Sequence, residues 1–328
     1  MFFSYKDIPA RIAATGAYLP ERIVGNHDIP GLEETNGAVE RLLGAVERRA
    51  AAEDEQCSDL IVRAARQVLE EAEVLPTDLD RLIVSATPGD YFEPCTSAVV
   101  QYKLGAECAA VDIGMSCVGW LAGMDYALKC IATGANKVLV MAGTVVSRGP
   151  AFYNPMHRAI FGDGAGGVLV ERCKEPGHFL AGGLYTDGQH HDMITMPHKA
   201  SIPTGRVPEE YHGSFFMGDP RIIHNALKEH MPRCLEQGLA LSGITREDID
   251  VAFIHQPSKP LFLTALKASK MPREKLVEDY ERYGNTISAE LPISMDENIK
   301  NGRIKRGDTV LQISFGAGFS GGLLIYKY

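Results

Sequence analysis

Between residues 57 and 75, in CSDLIVRAARQVLEEAEVL, apolar side chains return at Leu60, Ile61, Ala64, Ala65, Val68 and Leu69. That three-to-four spacing is one face of an amphipathic helix. The next apolar run, DRLIVSAT at 80–87, is short and continuous and reads as a buried strand. After Cys117, the positions Val118, Leu121, Ala122, Met124, Ala127 and Leu128 again recur at helical spacing, so 112–130 reads as strand end then helix, and NKVLVMAG at 136–143 as the next strand. The same series runs a second time. RIIHNALKEHMPRCLEQGLAL (221–241) is helical, VAFIHQ (251–256) a strand, TISAELPISMDENIKNG (286–302) a helix and DTVLQISFGAG (308–318) a strand.

This recurrence extends to the letters themselves. FGDGAGGVLV (161–170) returns as FGAGFSGGLLI (315–325), and LPTDLDRLIVSA (75–86) as GITREDIDVAFIHQ (243–256). Alternating helices and strands in two copies predict an α/β protein of two packed sheets related by a pseudo-twofold axis, with halves 1–172 and 173–328. Both glycine repeats fit G-x-G-x-x-G: Gly162, Gly164, Gly167, and Gly316, Gly318, Gly321. A dinucleotide fingerprint needs a helix after it. Here GVLVE and GLLIYKY follow, which are strand-like, so the glycines are expected to serve tight turns and close backbone approach.

Composition narrows the functional classes. With 45% hydrophobic and 23% charged residues the chain is of globular type. A net charge of −9 and a pI near 5.6 argue against a nucleic-acid partner, which requires a basic footprint. No run approaches the roughly 20 apolar residues of a membrane helix, and MFFSYKDIPARIAATGAYLP lacks the apolar core of a signal peptide. Seven cysteines at irregular spacing, with no C-x-x-C pair, suit reduced thiols in a cytoplasmic protein and no structural zinc.

The candidate chemistry sits where the two copies meet. If the helix starts are equivalent, Cys117 and Asn285 occupy matching positions and face each other across the pseudo-axis, while His255 ends a strand. A thiol at a helix N-terminus meets unpaired N–H groups and positive potential that favour the thiolate. An imidazole exchanges protons near neutrality, and an asparagine amide donates hydrogen bonds without charge. Such a trio suits acyl transfer through a thioester, with enolate stabilisation by His255 and Asn285 and an oxyanion hole from backbone N–H groups of Cys117 and the 316–318 turn. The plainer alternatives are a core cysteine, a structural histidine and a helix-capping asparagine.

In the order ATGAYLPERIVGNHDI (14–29), ERRAA (47–51), the Cys117 elbow, FGDGAG (161–166), HQP (255–257), GNT (284–286) and FGAGFSGG (315–322), the chain resembles the β-ketoacyl-acyl carrier protein synthase III enzymes of the thiolase superfamily. The resemblance implies a five-layered αβαβα thiolase fold in a homodimer, Cys117 as the acyl-accepting nucleophile, and His255 and Asn285 as the pair that stabilises the carbanion from malonyl decarboxylation. It places Ala317 at the oxyanion-hole position, where only its N–H is used, and Phe315 with Ser258 and Glu93 against substrate. The substrates implied are thioesters of acyl carrier protein or coenzyme A, with no metal or redox cofactor.

Several positions depart from that pattern. Ala38 and Leu42 stand where a Trp and an Arg usually sandwich adenine, which removes stacking and charge for coenzyme A. HQPSKP replaces the usual HQAN-R: Ser258 stands for a pantetheine-binding amide and Pro260 for a basic carrier contact, with Lys259 as a partial substitute. Glu93 occupies a position that in the family comes from the partner subunit and closes the acyl pocket, commonly as Phe. It reads either as a solvated loop carboxylate or as a group in the neighbour's tunnel that binds a polar acyl group or acts as a base. The spacing of His190, His191, Asp192 and His198 fits no metal-site pattern, Trp120 is expected to pack the elbow helix, and ENIKNGRIKRGD (297–308) is expected to be a solvated turn or a basic carrier contact. These features favour a condensing enzyme of specialised or fatty acid biosynthesis. An acyltransferase to an amine or hydroxyl is the nearest rival, and a non-catalytic partner subunit a rival of another class.

Overall fold

The computed structural model describes the chain apart from residues 36, 149–153, 197–206 and 212. Two five-stranded sheets form its frame. The first runs in the order Ala10–Tyr18, Gly164–Arg172, Lys137–Thr144, Arg81–Ala86, Ala109–Asp112. The second runs Phe2–Ser4, Phe179–Thr186, Ser320–Lys327, Thr309–Gly316, Val251–Ile254. In both, the strand after the glycine-repeat turn, Gly164–Arg172 or Ser320–Lys327, is antiparallel to both its neighbours, while the parallel pairs lie toward the edge that ends in Ala109–Asp112 or Val251–Ile254.

Helices fill the layers between and outside. Cys57–Ala72 lies on the outer face of the first sheet and Pro220–Ser242 on that of the second. The helical face expected from the apolar spacing is the buried one: Leu60, Ile61 and Val68 have no exposed surface, each worth about 1.5–3 kcal/mol of burial. Gly119–Ala132 and Glu290–Lys300 fill the middle layer and touch strands of both sheets. The result is five layers, αβαβα, with the largest core cluster between the two sheets. Trp120 is in that cluster, and its indole N–H donates to Gln312 Oε1 at 2.8 Å, tying the elbow helix of one half to a strand of the other.

Neither glycine repeat opens a helix. Gly164, Gly166 and Gly167 lie inside the strand Gly164–Arg172, and Gly321 and Gly322 inside Ser320–Lys327. Gly318, at φ +120°, makes the tight turn between the paired strands. Among the described residues, no helix is long and apolar enough to cross a membrane.

Candidate active site

Cys117 sits in a single 3-10 turn, Ser116–Val118, that runs directly into the helix Gly119–Ala132. Ser116 has φ +45°, a left-handed conformation that turns the chain sharply out of the preceding strand. The second half repeats this device with Ile287 at φ +55°, the turn Ile287–Ala289 and the helix Glu290–Lys300. A β-branched residue there is strained, which marks the elbow as imposed by its surroundings. Matching the two elbows corrects the expected equivalence. Cys117 corresponds to Ser288, and Asn285 precedes its own left-handed residue by two positions. Helical periodicity locates the helix but not the residue at which the chain turns, so a three-residue offset was invisible in the sequence.

Each half holds the other's reactive residue with its glycine repeat. A Cβ added at Gly316 would stand 2.9 Å from Cys117 Cβ and 3.2 Å from its sulfur, while Ser314 Oγ donates to the Cys117 carbonyl at 2.7 Å. Ala317, next in the chain, lines the same cavity. In the other direction, Phe161 bridges to Asn285, whose N–H donates to Ile160 O at 2.8 Å and whose carbonyl accepts from Gly162 N at 3.2 Å. Asp163, fully buried, anchors that turn by accepting from the N–H groups of Ala51 and Val146 at 2.8 Å and of Ser147 at 3.0 Å.

These contacts also orient the Asn285 amide. Its Oδ1 accepts the Ile287 N–H at 2.8 Å. A backbone donor can face only the oxygen, so the side-chain NH₂ is the end left for the cavity that Asn285 lines.

His255 follows the strand Val251–Ile254 and is fully buried, with its ring edge-on to Phe315 at 5.8 Å between centroids. Its Nδ1 lies 2.7 Å from Glu290 Oε2, and Cys117 stands near the same imidazole without an aligned hydrogen bond to Nε2. The approach to Glu290 is off the angle of a fully aligned hydrogen bond, so the contact is foremost an ion pair. Burial works against the imidazolium, but the Glu290 carboxylate and Cys117 outweigh it, and His255 is pushed up to about 10. Glu290 Oε1 accepts the Gln256 N–H at 2.7 Å. Behind it lies a second carboxyl, Asp279, which accepts from Ser294 Oγ and from Gln256 Nε2. Burial and the neighbouring Glu290 push Asp279 up to about 7, against the opposing bond from Ser294.

The cavity has a volume of roughly 510 Å³, within the size range of small-molecule sites. Cys117, Asn285, Ser258, Phe315 and Ala317 line it together with apolar side chains that include Met156, Ile160, Phe161, Met196 and Phe215. Ser258 is buried and heads the helix Lys259–Ser269, whose start packs on the 42–44 segment: Lys259 N–H donates to Leu43 O at 2.8 Å. Leu43, not Leu42, lines the cavity; Leu42 is 60% exposed. Glu93 is exposed and does not line the cavity of its own chain, and its neighbour Phe92 is 81% exposed. Among the described residues, no group of three or more His, Cys, Asp or Glu is arranged to hold a metal. Asp187 lies 3.2 Å from His230 and 3.7 Å from His190, and His198 is outside the described residues.

Two features escaped the sequence. Glu290, as the first residue of a helix, looks like an ordinary dipole-compensating acid, and only the tertiary fold puts it behind His255. His157 lies in a segment with no periodic signal, yet it lines the cavity, edge-on to Phe215, and burial holds it below its ordinary value.

Comparison with known proteins agrees with this architecture. Residues 111–188 match the family pattern of 3-oxoacyl-[acyl-carrier-protein (ACP)] synthase III, and residues 239–328 its C-terminal region. The β-ketoacyl-[acyl-carrier-protein] synthase III of Methylococcus capsulatus is 34% identical over 97% of this chain and 99% of its own. The crystal structure of 3-oxoacyl-[acyl-carrier-protein] synthase III from Aquifex aeolicus superposes with a TM-score of 0.87 at 27% identity, covering 97% of this chain and all of that one. A priming β-ketosynthase of a polyketide biosynthetic pathway superposes with a TM-score of 0.86 at 26% identity, covering 97% and 96% of the two chains. With a thiolase fold, a cysteine elbow and an asparagine lining one cavity, and a histidine buried beside the cysteine, the chain belongs to the 3-oxoacyl-[acyl-carrier-protein] synthase III family.

Proposed function

We propose that this protein forms a carbon–carbon bond by Claisen condensation of an acyl group carried on Cys117 with a malonyl-type thioester. The observation that carries the reading is the convergence on one apolar cavity of the Cys117 elbow and the Asn285 NH₂, with His255 buried directly behind. Cys117 Sγ attacks a thioester carbonyl, its proton leaves through His255, and the carrier thiol departs with a proton. The malonyl unit then loses CO₂, and its electron pair becomes an enolate whose oxygen faces His255 and the Asn285 amide. The enolate carbon attacks the acyl-Cys117 carbonyl, and the cysteine sulfur is expelled as the new bond forms. N–H groups of Cys117 and Ala317 are the oxyanion donors in this scheme. The expelled Cys117 thiolate takes one proton from solvent, and no step uses a metal or redox cofactor.

On this reading the substrates are acyl carrier protein or coenzyme A thioesters, and a cytoplasmic homodimer is the working assembly. Glu93 serves the acyl pocket of the partner subunit, Phe315 and Ser258 position substrate, and the altered Ala38 and Leu42 positions favour a donor other than free coenzyme A in specialised or fatty acid biosynthesis. Incubation with a panel of acyl thioesters, followed by intact-mass measurement, tests the first step. A gain of one acyl group that disappears in Cys117→Ala supports the scheme; no loading from any donor overturns it and leaves the partner-subunit reading. Adding malonyl thioester then separates condensation from simple transfer. Unchanged rate and acyl selectivity in Glu93→Ala would remove that residue from the substrate site.

One observation favours a second reading, transfer of the acyl group to an amine or hydroxyl. A carboxylate behind the imidazole, as Glu290 stands behind His255, is the arrangement in which a histidine takes a proton from an attacking acceptor.

A further inference from the structure

Glu290 has no part in the condensation scheme, yet it is buried and directed at the histidine that scheme uses. A charge in such a place is costly unless paired. Its two oxygens divide the work: Oε1 takes the Gln256 backbone N–H at 2.7 Å, and Oε2 stands 2.7 Å from His255 Nδ1. Among the described residues, no other group pairs with Nδ1. Phe315 lies edge-on to the ring, and Cys117 from the opposite half faces it.

A carboxylate accepts hydrogen bonds and cannot donate them. Nδ1 opposite Glu290 therefore carries a proton in both the neutral and the charged imidazole. When His255 is neutral, Nε2 must present a lone pair. It can then take a proton from Cys117 or from an attacking acceptor, but it cannot donate. To donate to an enolate oxygen, Nε2 must be protonated as well, so the donor is an imidazolium, its second proton taken from solvent once the carrier thiol has left, with Glu290 as its counter-charge. We propose that Glu290 is a positioning residue that fixes the His255 proton on Nδ1, making Nε2 a proton acceptor in acyl loading and a charged donor in the step that follows. The inference rests on the reading of Cys117 and His255 as the reacting pair.

Other groups also bear on this pair. Asp279, from the loop before Tyr280, faces Glu290 and is pushed toward protonation by it. Tyr280 lies near Glu290 on one side and Arg48 on the other, and burial keeps its phenol neutral. Ser294, on the helix that Glu290 begins, donates to Asp279. Glu290, at 2.7 Å from Nδ1, is the carboxylate in direct contact with the ring and so the counter-charge to a His255 imidazolium.

The test uses the full-length protein labelled with ¹⁵N histidine, the His255 signals being identified among the ten histidines by their loss in His255→Asn. In the wild type at pH 7–9, Nδ1 is expected to be protonated throughout. In Glu290→Gln, His255 is expected to titrate at lower pH, while Glu290→Asp, which keeps the charge, restores part of the wild-type behaviour. Acyl loading of Glu290→Gln, followed by intact mass, is expected to fall roughly 10²-fold at pH 7, the low end of a positioned acid–base contribution. The deficit should narrow as pH rises and the thiol ionises unaided. A wild-type His255 that is neutral with its proton on Nε2 overturns the proposal without any variant. So does a Glu290→Gln protein whose loading falls equally at every pH with unchanged histidine signals, the mark of a purely structural role. If Cys117 never loads, the catalytic reading fails while the histidine signals still report on Glu290.

Discussion

Gly316 presses against Cys117 across the boundary between the two sheets: a side chain at this position would come within 2.9 Å of the cysteine Cβ and 3.3 Å of its backbone nitrogen. The mirror relationship holds for Gly162, where a Cβ would meet the Tyr283 carbonyl at 2.1 Å, two residues before Asn285. One repeated motif thus clamps the nucleophile in one half and the asparagine in the other.

Gly316→Ala is expected to displace the cysteine elbow, because the Cβ, sulfur and backbone nitrogen of Cys117 occupy the space a methyl group needs. Overpacking of this kind costs about 1–3 kcal/mol, so thermal unfolding should show a modest loss. Acyl loading should fall far more steeply, and a protein that loads normally would mean the elbow has slack.

Gly162→Ala is the more severe change. The clash is with a backbone carbonyl, which cannot rotate away, and the displaced strand carries the Asn285 N–H and carbonyl bonds to Ile160 and Gly162. Loss of malonyl decarboxylation with loading from the acyl donor largely retained is the expected pattern, since Cys117 is held by the other repeat. Equal loss of both steps would show that the two clamps are not independent.

Asn285→Ala separates condensation from transfer. Its NH₂ is oriented toward the cavity by the 2.8 Å bond from Ile287 N–H to Oδ1. Removing one such donor to a developing oxyanion costs about 10²–10³ in rate. Decarboxylation of the malonyl thioester should fall by that factor, whereas transfer of the Cys117 acyl group to an amine acceptor should be little affected. If both rates survive, the asparagine is a structural cap.

Asp279 gives a pH dependence of stability. Its folded value, about 7, lies above the ordinary carboxylate value of 3.8, so between those limits the folded protein keeps a proton that the unfolded chain has released. Stability therefore falls as pH rises through this window, by up to about 1.4 kcal/mol per pH unit for one proton. Asp279→Asn, which can still accept from Ser294, should flatten the denaturant midpoint across pH 4–7. An unchanged slope would place the proton elsewhere in the network.

The sequence by itself determined the element order and its repetition. The 3.6-residue period of 57–69 lies on the buried face of the helix Cys57–Ala72, and the strand-like residues after each glycine repeat are strands, which removed the dinucleotide reading. It also gave Cys117, His255 and Asn285 as candidates, because each falls at the end of an element whose period or composition changes there. Register at the elbows was decided elsewhere. Left-handed turns at Ser116 and Ile287 are set by packing between the sheets, and neither residue type announces that conformation. The pairing of His255 with Glu290 likewise joins residues 35 positions apart on different elements, and a helix-initial glutamate looks the same in sequence whether it faces water or an imidazole. Local periodicity reports which face of an element is apolar. Only the closing of two sheets on a shared middle layer decides which polar groups are trapped together inside.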